Sequence, residues 1–149
     1  MNDSIKIEAD VRNLLASQRF AVLSTQEQDH PYVNLVAFAE TGDLRAILFA
    51  TTKATRKYVN MTSRSGVSLL VDNRPNDAAA IREAMAVTII GSAAEVPHSE
   101  RDKLDRIYLE KQPQMKGFLY SPSTALIKVD VESYLLVSNF QHVAILDLK

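Results

Sequence analysis

Short apolar segments separated by polar turn residues recur along most of the chain, and this pattern predicts β-strands. The first three segments follow one another with only short polar links, Gln26 to His30 and Thr41-Gly42-Asp43, between them. Such links are typical of an antiparallel meander and not of βαβ crossovers. The fourth segment, Val67 to Asp72, is almost continuously apolar and predicts a strand buried on both faces. The predicted strands cover residues 20–25, 31–38, 44–50, 67–72, 87–91, 125–137 and 142–148.

Helices are predicted where apolar positions recur three and four residues apart. Near the N-terminus, Val11, Leu14 and Leu15 share one face of such a pattern. Further along, Ser99-x-x-Asp102 resembles a capping box with Asp in place of Glu, and it predicts the start of another helix. The predicted helices cover residues 4–18, 78–83 and 99–111, and one more begins with Thr55-Arg56-Lys57.

The succession of strands favours a small barrel over an open sheet. Closure into a barrel removes the exposed strand edges that an open antiparallel sheet would leave. Gly91, at the end of a predicted strand, indicates a bulge or a close approach of two backbones. We therefore expect a mainly β fold with peripheral α-helices, a six- or seven-stranded antiparallel split β-barrel. With 149 residues and no linker or repeat, the chain is predicted to form a single domain, residues 1–149.

Composition and charge exclude several classes of function. The formal net charge is −1, so no overall positive field draws the chain toward nucleic acid or an anionic membrane. No apolar run approaches the roughly 18 residues of a membrane-spanning helix, and the polar start is unlike a signal peptide. The absence of cysteine excludes disulfides, thiolate catalysis, Cys-ligated zinc and iron–sulfur clusters. A cytoplasmic location is expected.

The segment from Ile47 to Tyr58 carries the most distinctive chemistry. An apolar strand ends in hydroxyl residues and leads into a helix that opens with two basic side chains. Hydroxyl donors, a guanidinium, an ammonium and the free amides of a helix start are together suited to a phosphate. The same residues also fit an ordinary solvent-exposed helix start, and both interpretations remain open. The candidate phosphate ligands are Thr51, Thr52, Thr55, Arg56 and Lys57.

Other chemistry has little support in the sequence. Neither GxxxxGK[ST] nor GxGxxG occurs, and HExxH and GxSxG are absent as well. His30, His98 and His142 lie far apart, so no metal site is predicted and no catalytic residue is identified. Asp72 and Asp77 flank a polar loop that is either solvated or part of a substrate mouth.

The order of elements and the residues together resemble the pyridoxamine 5′-phosphate oxidase-like FMN-binding split-barrel family. The resemblance runs from about Phe20 to Phe140. It rests on a strand ending near Thr51, then Thr55-Arg56-Lys57, then the strand Val67-Ser68-Leu69-Leu70. Each position is loosely specified, but the ordered set is fairly specific.

This resemblance implies FMN held at the interface of a homodimer. Thr55, Arg56 and Lys57 would hold the phosphate, while the backbones of Asn34 to Ala37 and of Ala50 to Thr51 would border the flavin. The partner subunit would close the pocket through Ala86 to Thr88 and the segment near Phe140. The cofactor-binding residues that the resemblance implies are Asn34, Leu35, Val36, Ala50, Thr51, Thr52, Thr55, Arg56, Lys57 and Phe140.

The sequence also departs from the oxidase itself. That enzyme has an Arg at the start of the second strand and a Gln in the fifth, where this chain has Asn34 and Ala86. Lys149 is the only lysine or arginine after Lys128, so no basic pair is present to hold a second phosphate. We therefore expect an FMN-dependent oxidoreductase acting on an unidentified small substrate. The alternatives are a non-catalytic flavin carrier or electron-transfer module, and a haem-handling protein on the same barrel with His142 as the residue of interest.

Overall fold

Seven strands form one antiparallel sheet that closes into a barrel in the computed structural model, which describes residues 3–139 and 141–148. The strand order is β3-β2-β1-β4-β5-β6-β7, and an additional pairing between β3 and β6 closes the first six strands. This confirms the prediction of a mainly β split barrel with peripheral helices. The strands are β1 Phe20–Glu27, β2 His30–Glu40, β3 Ala46–Thr52, β4 Gly66–Asp72, β5 Ala86–Glu95, β6 Thr124–Ser138 and β7 His142–Asp147.

The helices lie at the periphery of the barrel. Short 3₁₀ turns occupy Ala78–Arg82, His98–Glu100 and Pro113–Met115. No helix within the described ranges is long and apolar enough to cross a membrane. The α-helices are α1 Asp3–Ser17, α2 Arg56–Ser63, α3 Arg101–Lys111 and α4 Lys116–Leu119.

The core fills the barrel and continues beneath α1. Because side chains alternate along a strand, every second residue of β1 and β4 points inward, as Leu23 and Leu69 do. Val11, Leu14 and Leu15 of α1 pack into the same cluster, as their spacing predicts.

A second apolar cluster covers the outer side of β3. There, Leu48 and Leu126 lie under Tyr108 of α3 and Leu119 of α4. Residues of β3 are therefore buried on both faces from Ala46 to Thr51.

The expectation that β4 is buried on both faces is wrong. Val67, Leu69 and Val71 are buried, but the alternate residues of β4 are partly or fully exposed. Leu70 lies on the outer face of the sheet. Because that face is itself apolar, the sequence of β4 is almost continuously apolar although only its inner face is buried. The strand buried on both faces is β3, since α3 and α4 cover its outer side.

The structure also corrects two local predictions. The link from Gln26 to His30 is shorter than expected, because β1 extends to Glu27 and β2 begins at His30. The capping box does not form, because Ser99 lies in a 3₁₀ turn and Glu100 occupies the N-cap of α3 without a side-chain hydrogen bond.

Gly91 marks a bulge, as its position in the strand predicts. The register between β5 and β6 shifts between Ile90 and Gly91. A Cβ atom on Gly91 would collide with the backbone carbonyl of Asp130, so the close approach requires glycine.

The barrel splits between β2 and β3. Residues up to Ala37 of β2 pair with β1, whereas Phe38–Glu40 pair with β3. Beyond Phe49, β3 continues along β6 and leaves β2. The segments 34–37 and 50–52 therefore lie on either side of this split.

Candidate functional site

The start of α2 is attached directly to the end of β3. Thr55 is the N-cap of α2, with an extended backbone, and its Oγ1 accepts a hydrogen bond from the amide of Tyr58 at 3.3 Å. The hydroxyl oxygens of Thr51 and Thr55 lie 2.7 Å apart, and Thr55 also donates to the carbonyl of Thr52 at 3.0 Å. These two hydroxyls are thus already engaged within the fold, and the remaining amides of the first turn are the free donors of a helix start.

Arg56 and Lys57 follow the cap and differ in their surroundings. The Arg56 side chain is 61% exposed, and its Nη1 lies 3.5 Å from Oε2 of Glu27. Its guanidinium also lies 5.5 Å from the ring centroid of Tyr32, a distance typical of a cation–π contact. The guanidinium is therefore positioned over the β1–β2 hairpin but remains open to solvent.

Lys57 is half-buried, and burial lowers the pKa of its ammonium group. Within the described residues it forms no ion pair. A partly desolvated cation without a counter-charge is unfavourable, and an anion brought to it would be stabilised.

Two further contacts fix α2 against strands β1 and β5. Asn60 donates from Nδ2 to Oγ1 of Thr25 on β1 at 3.0 Å. On the other side, the hydroxyl of Tyr58 donates to Oε1 of Glu95 on β5 at 2.7 Å, which raises the pKa of Tyr58. Glu95 also lies 3.5 Å from Nζ of Lys53, so a third cation sits near the helix start.

The predicted residues of β2 do not share one face. Asn34 and Val36 pair with Leu23 and Ala21 and point into the barrel, whereas Leu35 points outward and is 70% exposed. Oδ1 of Asn34 is buried, and the described part of the chain supplies no hydrogen-bond partner for it. A buried acceptor without a donor is costly and suggests a missing ligand or water.

Ala50, Thr51 and Thr52 lie on the other side of the split. Ala50 and Thr51 are buried, so a ligand at this edge would meet their backbone and not their side chains. Thr52 pairs with Thr124 of β6, whose hydroxyl is also buried and lacks a partner among the described residues. No local sequence pattern marks Thr124, because its position beside Thr52 depends on the long-range β3–β6 pairing.

Half of the ten predicted site residues thus lie at the start of α2, and the other five do not. The β3–α2 connection brings Thr51 to Lys57 together, and Tyr32, two residues before Asn34, reaches Arg56. Leu35 belongs to the opposite surface of the sheet. Phe140 lies outside the described residues.

The outer face of the sheet carries a row of side chains that are apolar except for Thr88, here called the apolar row. Residues in register across six strands contribute to it, and Leu35 and Ile145 at its ends are 70% and 61% exposed. Ala86 and Thr88 lie on this face, whereas Val87 between them is fully buried. The row consists of Leu35, Val22, Leu70, Thr88, Leu135 and Ile145.

A cleft of about 680 Å³ adjoins the apolar row on this outer face. The segment 73–85 forms one wall, and its ends are joined by hydrogen bonds between Asn73 and Met85 at 2.8 and 3.1 Å. Asp72 and Asp77 both line the cleft, but Asp72 pairs with Arg74 at 3.0 Å. None of the predicted phosphate ligands lines it, so the cleft and the start of α2 are separate features.

The histidines do not form a site. His30, His98 and His142 are exposed on β2, a 3₁₀ turn and β7. Among residues 3–139 and 141–148, no group of three or more His, Asp or Glu side chains could hold a metal ion.

The fold and the site define a split-barrel protein, and comparison with known proteins identifies its family. The family model of pyridoxamine 5′-phosphate oxidase matches residues 7–138. This match spans most of the chain, which therefore belongs to the pyridoxamine 5′-phosphate oxidase-like family. None of the curated proteins matches the sequence significantly.

Solved structures share the fold at low sequence identity. A heme binding protein from Mycobacterium smegmatis has a TM-score of 0.82 and 14% identity, over 93% of this chain and 56% of its own. This chain thus spans little more than half of that protein. A FAD-binding protein from Mesorhizobium loti has a TM-score of 0.70 and 15% identity, over 87% of this chain and 90% of its own. General Stress Protein 26 from Bacillus anthracis str. Sterne has a TM-score of 0.71 and 19% identity, over 95% of this chain and 98% of its own. Likenesses at this level of identity establish the fold alone.

Proposed function

We propose that this chain binds FMN at the split between β2 and β3, with the phosphate at the start of α2. The observation that carries the proposal is Lys57, a half-buried ammonium in the first turn of a helix, for which the described residues provide no counter-charge. A dianionic phosphate would supply that charge and would also meet the free amides and the positive end of the helix dipole. Arg56, exposed beside it, would add a planar donor pair.

The flavin ring would lie along the split, toward Asn34. The unpartnered Oδ1 of Asn34 would accept a hydrogen bond from a ring N–H, which satisfies a buried acceptor. The backbone of Ala50 and Thr51 would border the opposite edge, since their side chains are buried. These residues fit the group: one cationic anchor, polar atoms at the ring edge and apolar walls.

FMN, when bound, supplies hydride or electron transfer, and the chain would bind it, orient it and exclude water. We propose an oxidoreductase acting on a small substrate. Basic residues for a second phosphate are lacking near the C-terminus, so pyridoxamine phosphate is not the proposed substrate. The cysteine-free composition is consistent with a cytoplasmic location, which we propose for the protein.

We further propose a homodimer formed through the outer face of the sheet. Exposed apolar side chains aligned across several strands are costly in water and mark interaction surfaces. A second copy of the chain would cover the row, including Thr88, and the neighbouring Ala86.

The visible spectrum of the purified protein, followed by titration with FMN, tests the proposed cofactor. An absorption band near ~450 nm and saturable binding of about one FMN per chain are expected, since the spectrum belongs to the cofactor. A Soret band near ~400 nm without FMN binding would instead indicate haem and contradict the proposal. Oxidation of a reduced nicotinamide by the FMN-loaded protein would distinguish an enzyme from a flavin carrier.

A further inference from the structure

The C-terminal half of α3 binds β2 where that strand changes partners. Ala37 is the last residue of β2 in register with β1, and Phe38 is the first in register with β3. The hydroxyl of Tyr108 donates to the carbonyl of Ala37 at 3.0 Å. Nε2 of Gln112 donates to the carbonyl of Phe38 at 2.8 Å.

These two side-chain hydrogen bonds take the place of backbone hydrogen bonds that a neighbouring strand would otherwise make to β2. A strand that leaves one neighbour for another leaves backbone groups unpaired at the junction, and buried unpaired carbonyls are unfavourable. Tyr108 and Gln112 are both fully buried, so water does not compete for these carbonyls. The path of β2 through the split therefore depends on donors from α3.

Tyr108 also touches the second edge of the split. Its ring packs in one apolar cluster with Ala50 and Leu48 of β3. Burial raises the pKa of Tyr108 to about 12. The hydroxyl thus remains a protonated donor to the carbonyl of Ala37 at neutral pH, while the ring packs against the cluster that contains Ala50. These residues belong to the two segments proposed to border the flavin.

We infer that Tyr108 is a positioning residue for the flavin site, because its hydroxyl binds the β2 segment and its ring packs with the β3 segment, the two segments that flank the split. This inference rests on the proposed function. Tyr108 would not touch the cofactor itself. It would act through the backbone of β2 and β3, so its loss would weaken flavin binding more than it weakens the fold.

Tyr134 provides a matched control. It is also fully buried, and its hydroxyl donates to a backbone carbonyl, that of Leu44, at 2.6 Å. Leu44 lies in the β2–β3 turn, away from the split. Tyr108→Phe and Tyr134→Phe therefore each delete one buried hydroxyl–carbonyl bond, but only the first lies beside the proposed site.

The experiment measures the FMN dissociation constant and the thermal midpoint of wild type and both variants. We expect Tyr108→Phe to raise the FMN Kd about tenfold, and to alter the absorption band of bound flavin. Tyr134→Phe should lower the thermal midpoint to a similar extent and leave the Kd unchanged. Should Tyr108→Phe not fold, Gln112→Met, which removes the donor to the next carbonyl of β2, takes its place with the same expectation.

The outcomes separate the inference from the proposed function. Wild-type FMN binding with equal Kd values in Tyr108→Phe and Tyr134→Phe would overturn the positioning role and leave the proposed function intact. Absence of saturable FMN binding in wild type would overturn the proposed function and the positioning role with it.

Discussion

The hydroxyl oxygens of Thr51 and Thr55 lie 2.7 Å apart, so the end of strand β3 is hydrogen-bonded to the N-cap of α2. Thr51 is buried in the barrel and Thr55 begins the helix. The helix start therefore has a fixed position relative to the strand. A phosphate bound in the first turn of α2 would be held at a defined distance from the split.

Loss of the cap should destabilise the protein. Thr55→Ala removes the acceptor for the amide of Tyr58 and the contact with Thr51, and we expect it to lower the free energy of unfolding by about 1–2 kcal/mol. Urea denaturation measures this change. Thr62→Ala, at an exposed site later in the same helix, is the control and should have a smaller effect. Equal losses in the two variants would show that Thr55 does not act as a cap.

Removal of both basic side chains should abolish tight FMN binding. Each charge-assisted bond to the phosphate is worth about 1.5–3 kcal/mol, so Arg56→Ala with Lys57→Ala should raise the FMN Kd by at least two orders of magnitude. Arg64→Ala, which removes one cation at the other end of α2, controls for the loss of a positive charge away from the phosphate and should leave the Kd nearly unchanged. An unchanged Kd in the double variant would place the phosphate elsewhere.

The affinity for FMN should fall at alkaline pH. Burial lowers the pKa of Lys57, so its ammonium group loses its proton at a lower pH than an ordinary lysine. The dianion binds the charged form, so affinity is full below that lowered pKa and declines as pH rises through it. Titrations from pH 7 upward measure the decline, and riboflavin, which has no phosphate, controls for effects on the ring.

The variant Lys57→Arg tests whether deprotonation of Lys57 causes the loss of FMN affinity at alkaline pH. An arginine side chain stays charged throughout the range, so the variant should bind FMN with little change on the alkaline side. The same alkaline decline in wild type and in Lys57→Arg would exclude Lys57 as the titrating group.

Addition of a methyl group at the bulge should lower the free energy of unfolding. Gly91→Ala places Cβ against the carbonyl of Asp130, and neither backbone can move without breaking the β5–β6 pairing. We expect a loss of about 1–3 kcal/mol in the free energy of unfolding. At Gly117 in α4 a Cβ would meet nothing within 4 Å, so Gly117→Ala should be neutral or stabilising. Similar stabilities of the two variants would argue against the close approach.

A charge on the apolar row should disrupt the proposed dimer. Leu35→Glu places a carboxylate at an exposed position of the outer face, and we expect sedimentation to show dissociation into monomers. Ile5→Glu is the control, since Ile5 is 58% exposed on α1, which packs against the inner side of the sheet. A wild-type protein that is monomeric at micromolar concentration would contradict the dimer.

The alternation of apolar residues was sufficient to predict the barrel. Strand pattern and short links identified the antiparallel meander, and Gly91 was recognised from its place inside an apolar strand. Burial on two faces could not be assigned correctly, because the sequence does not reveal which strand a helix covers. Leu70 led to the prediction that β4 is buried on both faces. The strand whose outer face is covered is β3, where Leu48 lies under α3.

The candidate site was predictable only where it is contiguous in sequence. Thr51 to Lys57 are the end of β3, a turn and the start of α2, and they could be found as a motif because they are contiguous. Thr124 and Tyr108 reach the same region through strand pairing and helix packing, and no local pattern marks them. The opposite orientations of Asn34 and Leu35 follow from strand alternation once β2 is placed.

The most direct test of the account compares FMN with riboflavin in paired binding isotherms on the purified protein. The two ligands share the ring and differ by the phosphate, so their ratio of affinities measures what the start of α2 contributes. We expect FMN to bind with a stoichiometry of about one per chain and at least a hundredfold more tightly than riboflavin, from the charge-assisted bonds of Arg56 and Lys57. Equal affinities, or no binding of either ligand, would contradict a phosphate site at this helix.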